Sequence, residues 1–595
     1  MSFAILATII FLSGIALVIL RLFAGLWSKR TSTIAESKVP ETAGIDFGPA
    51  RTSSRLRIVR VFAILLALVV LGLHLFWGFF AAGPLREMPD YALLKNVRDQ
   101  RNRRDTESHL RGWVFDRTRD VRRSFAKYRY LDGKVIRDYP LGAAAAHLVG
   151  YSGLMRGEAQ IERALDKMPV PPAETANQSW WQRTFSPQEP GVVGRDIVLT
   201  VDFDLQREAF ASLSGKAGAV VMLNPQTGEL LALATNPSFD PDDVNNDVKW
   251  QEVSRDLRNR PLLNRALNDY YLPGSTFKLV TAAAALDSRL DKQKYVCRAE
   301  GWTPPGSNRP IRDDQGEAHG SIDIFEALTH SCNQYFAQLG VEVDRVRMGE
   351  AASRFGLRVH STAADSIGTG AYRNLWNTDN QVLSDVLAPL NSTFVAGRRI
   401  SRYDIALESI GQGYVQLTPM QMAMIVGAVA NKKGEVMRPA IEMGREPRAL
   451  SQAMSAESAE RIRQMMKAVV ERGTAATPFA SYRGKLSAGG KTGTAQRETP
   501  VINPKTGEVE TYRDSRGIER TKKAHRIDSW FVGFAPVENP RVVIAVVVEA
   551  GGYGAKTAAP IAASLLEKAL EIGQSAASIT ASETARRTDS PTSPR

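Results

Sequence analysis

At 595 residues, 44% hydrophobic and 23% charged, the chain is long enough for several domains and apolar enough for a large folded core. Its net charge of +13 comes from scattered basic residues. No basic stretch is interleaved with an aromatic platform, so nucleic acid is not an expected partner. Its 7 histidines and 2 cysteines show no metal-ligand spacing, so neither a metal nor a cofactor is expected.

Residues Phe3 to Leu20 carry no charge, and after Arg21 the apolar run continues to Trp27. Val61 to Ala82 is a second uncharged run, interrupted only by His74. Both are long enough for the ~20 residues that span a bilayer. The first lacks the basic start and small-residue cleavage site of a signal peptide. Transmembrane helices are therefore expected at 1–27 and 58–83, joined by a loop over 28–57. Lys29, Arg30, Lys38, Arg51, Arg55 and Arg57 in that loop, with Arg60 just after it, outweigh Glu36, Glu41 and Asp46. The positive-inside rule puts such a loop in the cytoplasm. The expected product is a two-pass protein of a bacterial cytoplasmic membrane, with everything after residue 83 on the external, periplasmic side. There a disulfide is allowed, but a free buried thiol is the expected state of Cys297 and Cys332.

Residues 84–195 are charged and broken by turns, and form an expected small domain and linker. Arg111 to Arg117 alternates like a strand, and Gly157-Glu158 with Ile161-Glu162 opens a helical stretch. Residues 170–191, rich in Pro, Gln, Ser and Trp, read as linker. A larger unit spans 196–573. Ile197 to Val201 is a predicted strand, and Leu205 opens a helix. Gly218 to Leu223 and Glu229 to Ala234 form a predicted hairpin across Asn224-Pro225-Gln226-Thr227-Gly228. Helices dominate to about residue 475. Ser529 to Phe534 and Val542 to Glu549 are closing strands. The fold class is α+β, an antiparallel sheet flanked by helices with a helical subdomain. Residues 574–595, rich in Ser, Thr, Ala and Pro, are an expected disordered tail.

Three short motifs carry the chemistry. Ser275-Thr276-Phe277-Lys278 precedes an Ala- and Leu-rich run that reads as a helix opening at the serine. Residues three apart share a helix face, which sets Lys278 beside Ser275. A serine hydroxyl needs a base, and lysine serves only when neutral. Burial and a second cation, Lys491, would both push its pKa down. Ser331-Cys332-Asn333 follows a helix-like run. Ser331 would relay a proton to a leaving amine, and Asn333 would donate to a substrate amide and orient Lys278. Lys491-Thr492-Gly493-Thr494 follows Gly489-Gly490. Its small residues suit pairing between a strand edge and an extended substrate. Lys491 and Thr492 would hold a carboxylate. Backbone N–H groups of Ser275 and Thr494 would form an oxyanion hole. Two decoys share these strings. Ser124 to Lys127 sits in a charged, hairpin-like stretch, and Lys505-Thr506-Gly507 is turn chemistry after Asn503-Pro504.

With these motifs in order, the chain resembles the class B penicillin-binding proteins, which are peptidoglycan D,D-transpeptidases. The resemblance runs from about Arg111 to Pro560. It includes Arg111-Gly112 with Asp116-Arg117, Leu199-Thr200-Val201-Asp202, and Asn236-Pro237-Ser238-Phe239-Asp240-Pro241. It also includes Gly411-Gln412-Gly413 with Leu417-Thr418-Pro419, and Trp530 to Phe534. It implies a penicillin-binding transpeptidase fold, a pedestal over 84–195 and an acyl-serine intermediate. It also implies stem-peptide substrates (a D-Ala-D-Ala donor and an amine acceptor) and acylation by β-lactams. Glycan polymerisation would fall to a partner, a polytopic membrane glycosyltransferase of the shape-and-division type. Two membrane helices stand where the family has one anchor, and Thr118-Arg119 replaces the glycine expected after Asp116-Arg117. The short pedestal is nearest to small elongation-type members. A β-lactamase-like hydrolase would need a water-activating Glu-x-x-Leu-Asn string, which does not occur. A β-lactam sensor would need more cytoplasmic chain than 28–57 supplies. A catalytically dead scaffold is at odds with intact motifs.

Overall fold

Val542–Val548 is apolar at every position, so as a strand it must be covered on both faces. It is the middle strand of the main sheet in the computed structural model. The structure describes residues 64, 67–68, 70–72, 111–131, 134–153, 157–166, 195–360, 366–367, 392–395, 400–501, 503, 506 and 508–588. The chain divides into two units, Met1–Met88 and Pro89–Arg595. In the first, the described residues are helical, with Ile64, Leu68 and Val70 exposed. All of the first expected membrane segment, and the rest of the second, lies outside the described residues. No helix among those described is long and apolar enough to cross a membrane.

The second unit opens with a small sheet. Its strands are β1 (Val114–Phe115), β2 (Ser124–Leu131), β3 (Lys134–Asp138) and, after helix α1 (Gln160–Asp166), β4 (Ile197–Val198). Their order is β3-β2-β1-β4, and β4 runs parallel to β1. The segment beginning at Ile197, read from sequence as the start of the larger unit, thus completes the smaller sheet. Gly157–Glu158, read as helical, is a two-residue strand before α1. The decoy Ser124 to Lys127 lies in the β2–β3 hairpin. Arg111 and Arg137 converge on the buried Glu162 of α1 at 3.2 and 2.8 Å, which ties both ends of this region together.

The main sheet collects strands from both ends of the larger unit. In chain order its surroundings are α2 (Phe203–Ala211), β5 (Gly218–Leu223), β6 (Leu230–Asn236), α3 (Lys278–Asp287), β7 (Tyr295–Cys297), β8 (Gly320–Ile322), α4 (Ile324–Thr329), α5 (Asn333–Val343), α6 (Pro419–Ala430) and α7 (Ala456–Glu471). There follow β9 (Gly489–Pro500), β10 (Thr511–Arg513), β11 (Glu519–Thr521), β12 (Lys523–Ala535), β13 (Val542–Val548) and α8 (Ala558–Thr588). The strand order is β9-β12-β13-β5-β6, antiparallel throughout, so β9 is an edge. Alternation along β13 sorts its side chains. Val542, Ile544, Val546 and Val548 join α2 and α8 in one core, while Val543, Ala545 and Val547 join α3 and α6 in the other. Helix α6 is buried along its whole length, and Thr418 caps it through the Gln421 N–H.

Residues 497–524 continue β9 and β12 at their two ends and carry the β10–β11 hairpin between them. β9 and β12 stay paired from Gly489↔Phe534 out to Pro500↔Lys523, and β10–β11 pair beyond them. Thr506 stands in a turn, its N–H donating to Asn503 Oδ1 at 3.4 Å. The expected disordered tail is helical to Thr588, because α8 runs on through Ala-rich sequence of high helix propensity. Residues 589–595 lie outside the described residues.

Trp530 of β12 is fully buried. Its ring meets Tyr271 edge-on at 5.8 Å, and its Nε1–H donates to Leu272 O at 3.1 Å. It locks the sheet to the segment that leads into Ser275. Trp530→Ala should destabilise the larger unit by ~3–5 kcal/mol, read by denaturant unfolding of the protein. A change near zero would show that the neighbouring chain collapses into the space.

Candidate active site

The first motif does not open an α-helix at its serine. Ser275 lies in the 3-10 turn Gly274–Phe277, and α3 begins at Lys278. Gly274 takes φ +53, a conformation that favours glycine, and its N–H donates to Gly411 O at 2.9 Å. Thr276 and Phe277 anchor the turn from below. Thr276 Oγ1 donates to Pro273 O at 2.8 Å, and Phe277 stacks on Phe394 at 5.8 Å. This leaves Ser275 half-buried at the surface of the turn. Among the described residues its hydroxyl has no hydrogen-bond partner.

The second motif is shaped by a helix end. Helix α4 stops at Thr329, and Ser331 takes φ +61, a left-handed conformation that terminates helices. The chain then re-enters helix at α5, capped by Cys332, whose Sγ accepts the Tyr335 N–H at 3.3 Å. Between the two helices the Ser331 hydroxyl is held next to both motif lysines. Lys491 Nζ donates to Ser331 Oγ at 2.7 Å and to Thr492 O at 3.0 Å. Lys278 Nζ donates to Ser331 O at 2.6 Å and Asn333 Oδ1 at 2.8 Å, with Ser331 Oγ at 3.4 Å. Asn333 therefore orients Lys278, while its Nδ2 donates to Arg312 O at 3.1 Å.

The third motif lies on the edge strand. Register pairs Lys491 with Val532, Thr492 with Phe531, Gly493 with Trp530 and Thr494 with Ser529. Neighbouring strand residues face opposite sides, so Lys491 and Thr492 do not point together as the sequence suggests. Thr492 hydrogen-bonds Thr474 Oγ1 at 2.6 Å, and Thr494 shares its side of the strand. Gly493 is needed for close approach. A Cβ there would lie 2.8 Å from Thr276 Cγ2 and 2.9 Å from Trp530 Cβ. At Gly274 it would lie 2.5 Å from Thr494 O, so the serine turn packs directly on β9. The three motifs thus meet where the serine turn, the Ser331 turn and β9 come together.

Both lysines are fully buried, and neither has a carboxylate partner among the described residues. Burial pushes Lys278 down to about 8. Burial, and then the charge of Lys278, hold Lys491 well below the usual lysine range.

Sequence reasoning missed the residues behind the second motif. The buried carboxylate of Asp313 accepts the Asn333 N–H, and its Oδ2 accepts Gln334 Nε2 at 2.8 Å and the Cys332 thiol at 3.4 Å. Cys297, Asp313, His319 and Cys332 offer donor atoms all within 4.8 Å of one another, and the buried His319 Nδ1 lies 3.6 Å from Asp313 Oδ2. Two thiols, an imidazole and a carboxylate form a donor set suited to Zn²⁺. The expectation of no metal site rested on local spacing. These four donors lie at 297, 313, 319 and 332, too far apart for a string to show.

Residues 218–567 match the family described as "Penicillin binding protein transpeptidase domain". The peptidoglycan D,D-transpeptidase PbpA of Mycolicibacterium smegmatis is 28% identical over 546 residues, covering 88% of this chain and 100% of the relative. The peptidoglycan D,D-transpeptidase MrdA of Acinetobacter baumannii is 28% identical over 481 residues, covering 73% and 67%. Among solved structures, the imipenem acyl-enzyme complex of penicillin-binding protein A from M. tuberculosis aligns with a TM-score of 0.61 at 26% identity, over 78% of this chain and 99% of that one. The family match covers more than half the chain and includes every motif of the cleft, and on that ground the chain belongs to the penicillin-binding protein transpeptidases.

Proposed function

We propose that the protein is a membrane-anchored peptidoglycan D,D-transpeptidase that cross-links stem peptides through an acyl-Ser275 intermediate and is acylated there by β-lactams. The observation that carries the reading is the shared position of Ser331 Oγ, at 2.7 Å from Lys491 Nζ and 3.4 Å from Lys278 Nζ. The relatives named as D,D-transpeptidases support it.

The proton inventory follows from burial. Two ammonium groups around one hydroxyl oppose each other's charge, so the pair titrates as a unit. The carboxylate of a D-Ala-D-Ala terminus docking at Lys491 favours the charged form of that lysine. Its charge then favours neutral Lys278. The Ser331 hydroxyl is the route by which a proton passes between them. Neutral Lys278 takes the proton of Ser275 as Oγ attacks the penultimate carbonyl. N–H groups of Ser275 and Thr494 stabilise the oxyanion, an effect of ~3–4 kcal/mol per donor. Ser331 delivers a proton to the leaving D-Ala amine. The acceptor amine then attacks the acyl-serine by the reverse path. The roles of Ser275, Lys278, Ser331, Asn333 and Lys491 in catalysis, and of Thr492, Gly493 and Thr494 in holding the donor, belong to this proposal.

The anchoring part of the proposal rests on the two apolar runs and the basic loop between them. It includes helices at 1–27 and 58–83, a pedestal and linker over 84–195, and a catalytic unit on the external face of the cytoplasmic membrane. A polytopic membrane glycosyltransferase is the proposed partner that supplies glycan strands.

Ser275→Ala should abolish labelling by a fluorescent penicillin, and labelled peptide that maps to Ser124 would remove Ser275 from the role. Lys278→Arg keeps charge but stays protonated, so acylation should fall by ~10²–10⁴-fold. Acylation as fast as wild type would take the base role from Lys278. In the wild type the base must be neutral. The acylation rate should therefore rise with pH through about 8 and level off above it. A rate that falls over that range would mean the charged form is the active one. For topology, Ser53→Cys and Ser590→Cys variants differ in expected exposure. On intact cells an impermeant thiol reagent should label position 590 and spare 53, and label at 53 would overturn the two-span arrangement.

A further inference from the structure

The loop after β13 reaches across the cleft. Its Gly554 lies on the backbone of β9 and β12, where a Cβ would be 2.3 Å from Trp530 O and 2.5 Å from Gly493 O. Ser529 Oγ donates to Tyr553 O at 3.2 Å, and the Gly552 N–H donates to Ile527 O at 3.0 Å. The base of the loop is therefore fixed to the sheet, while Tyr553 and Lys556 stand exposed. The Tyr553 hydroxyl donates to Asp314 Oδ1 at 3.4 Å. Asp314 belongs to the opposite wall. It opens the 3-10 turn Asp314–Gly316, directly after Arg312 and Asp313, which hold Asn333 by its Nδ2 and its N–H. The contact thus spans the gap between β9 and Asn333.

Lys556 stands by the same phenol, its Nζ 5.8 Å from the centre of the Tyr553 ring. Among the described residues Lys556 meets no carboxylate and Asp314 meets no cation. Opposite charges beside one exposed phenol, without an ion pair of their own, suit a ligand end that carries both charges.

Building on the transpeptidase reading above, we propose that Asp314, Tyr553 and Lys556 form a subsite for the side chain of the donor's third residue, selecting a diamino acid that ends in both an ammonium and a carboxylate over one that ends in an amine alone. The donor's penultimate carbonyl stands at Ser275, and the amide before it lies between Asn333 and β9. An extended chain advances ~3.3 Å per residue, so the third residue comes just past that gap, beside Tyr553. Its ammonium meets Asp314 and its carboxylate meets Lys556. The phenol ring supports the methylene chain between them. Each contact is a charge-assisted hydrogen bond, stronger than one between neutral groups. Penicillins have no such side chain and do not use the subsite.

The test uses purified full-length protein in detergent and three disaccharide pentapeptide donors. Their third residues are meso-diaminopimelate, the same residue with its side-chain carboxyl amidated, and L-lysine. D-Ala release is measured with one fixed acceptor, an excess D-amino acid, and penicillin acylation is measured beside it. The diaminopimelate donor should react about tenfold faster than the other two. Lys556→Gln should bring all three to the same rate, and Lys556→Arg should restore the preference. Asp314→Asn should slow all three donors together, since each carries the amine. Penicillin acylation should stay within about twofold of wild type in every variant. Equal rates for the three donors in the wild type, or a preference that survives Lys556→Gln, would overturn the subsite. Loss of penicillin acylation in Asp314→Asn would show that Asp314 only supports the Asn333 turn, and would overturn its role in the subsite. No D-Ala release from any donor would instead overturn the transpeptidase reading, and the subsite with it.

Discussion

Two lysine side chains are buried around one serine hydroxyl, with no carboxylate among the described residues to neutralise them. An ammonium in such a place is costly, and two are more so. The arrangement persists because each nitrogen is given oxygen acceptors, namely Ser331 O and Asn333 Oδ1 for Lys278, and Ser331 Oγ and Thr492 O for Lys491. The rest of the fold can be read as what holds that triangle together. Helix α3 is buried from Lys278 to Leu286, so its first residue is shut away from solvent. The left-handed Ser331 aims one hydroxyl at both nitrogens. The edge position of β9 brings Lys491 in from the sheet.

Close backbone contact keeps the pieces in register. The turn at Gly274 touches Gly411 on one side and Thr494 on the other. Gly411 itself takes φ +73, and a Cβ there would lie 2.0 Å from Gly274 O. The serine is therefore clamped between two backbones rather than between side chains. Backbone has fewer rotamers to lose, and positional precision is what an attacking hydroxyl requires. A buried ion cluster supports the outer end of the same wall. Arg497 of β9 reaches Asp528 at 3.1 Å and Glu549 at 3.1 Å, and Arg265 reaches Glu549 at 2.7 Å.

Much of this was legible before any coordinates. Alternation and apolar runs identified β5, β6, β12 and β13, because strands covered on both faces have an unambiguous composition. Ser275, Lys278, Ser331, Asn333 and Lys491 were found as strings, and the fold draws them together. What sequence could not show was three-dimensional. Which side Thr492 faces depends on register with Phe531. Thr474 enters only because α7 ends beside β9. The depression of Lys491 reflects burial, which no local pattern reports. Cys297, Asp313 and His319 are separated along the chain and meet only when β7 and β8 pair behind α5. The α8 extension was misread because a Ser- and Thr-rich composition suggested disorder, while its alanines favour helix.

The unpaired edge of β9 has a consequence for the molecule as a colloid. An edge ready to receive an extended peptide presents the same row of amides and carbonyls to any strand, including one from another copy. Past Ala495 the strand carries Gln496, Arg497, Glu498 and, at its end, Pro500. Arg497 is drawn inward by its ion partners, and Gln496 and Glu498 stand in solvent. Charge and proline are poor company for a stacking strand. The uncharged part of the edge is thereby confined to the few residues beside Ser275, and the charges beyond it discourage a second copy from extending the sheet.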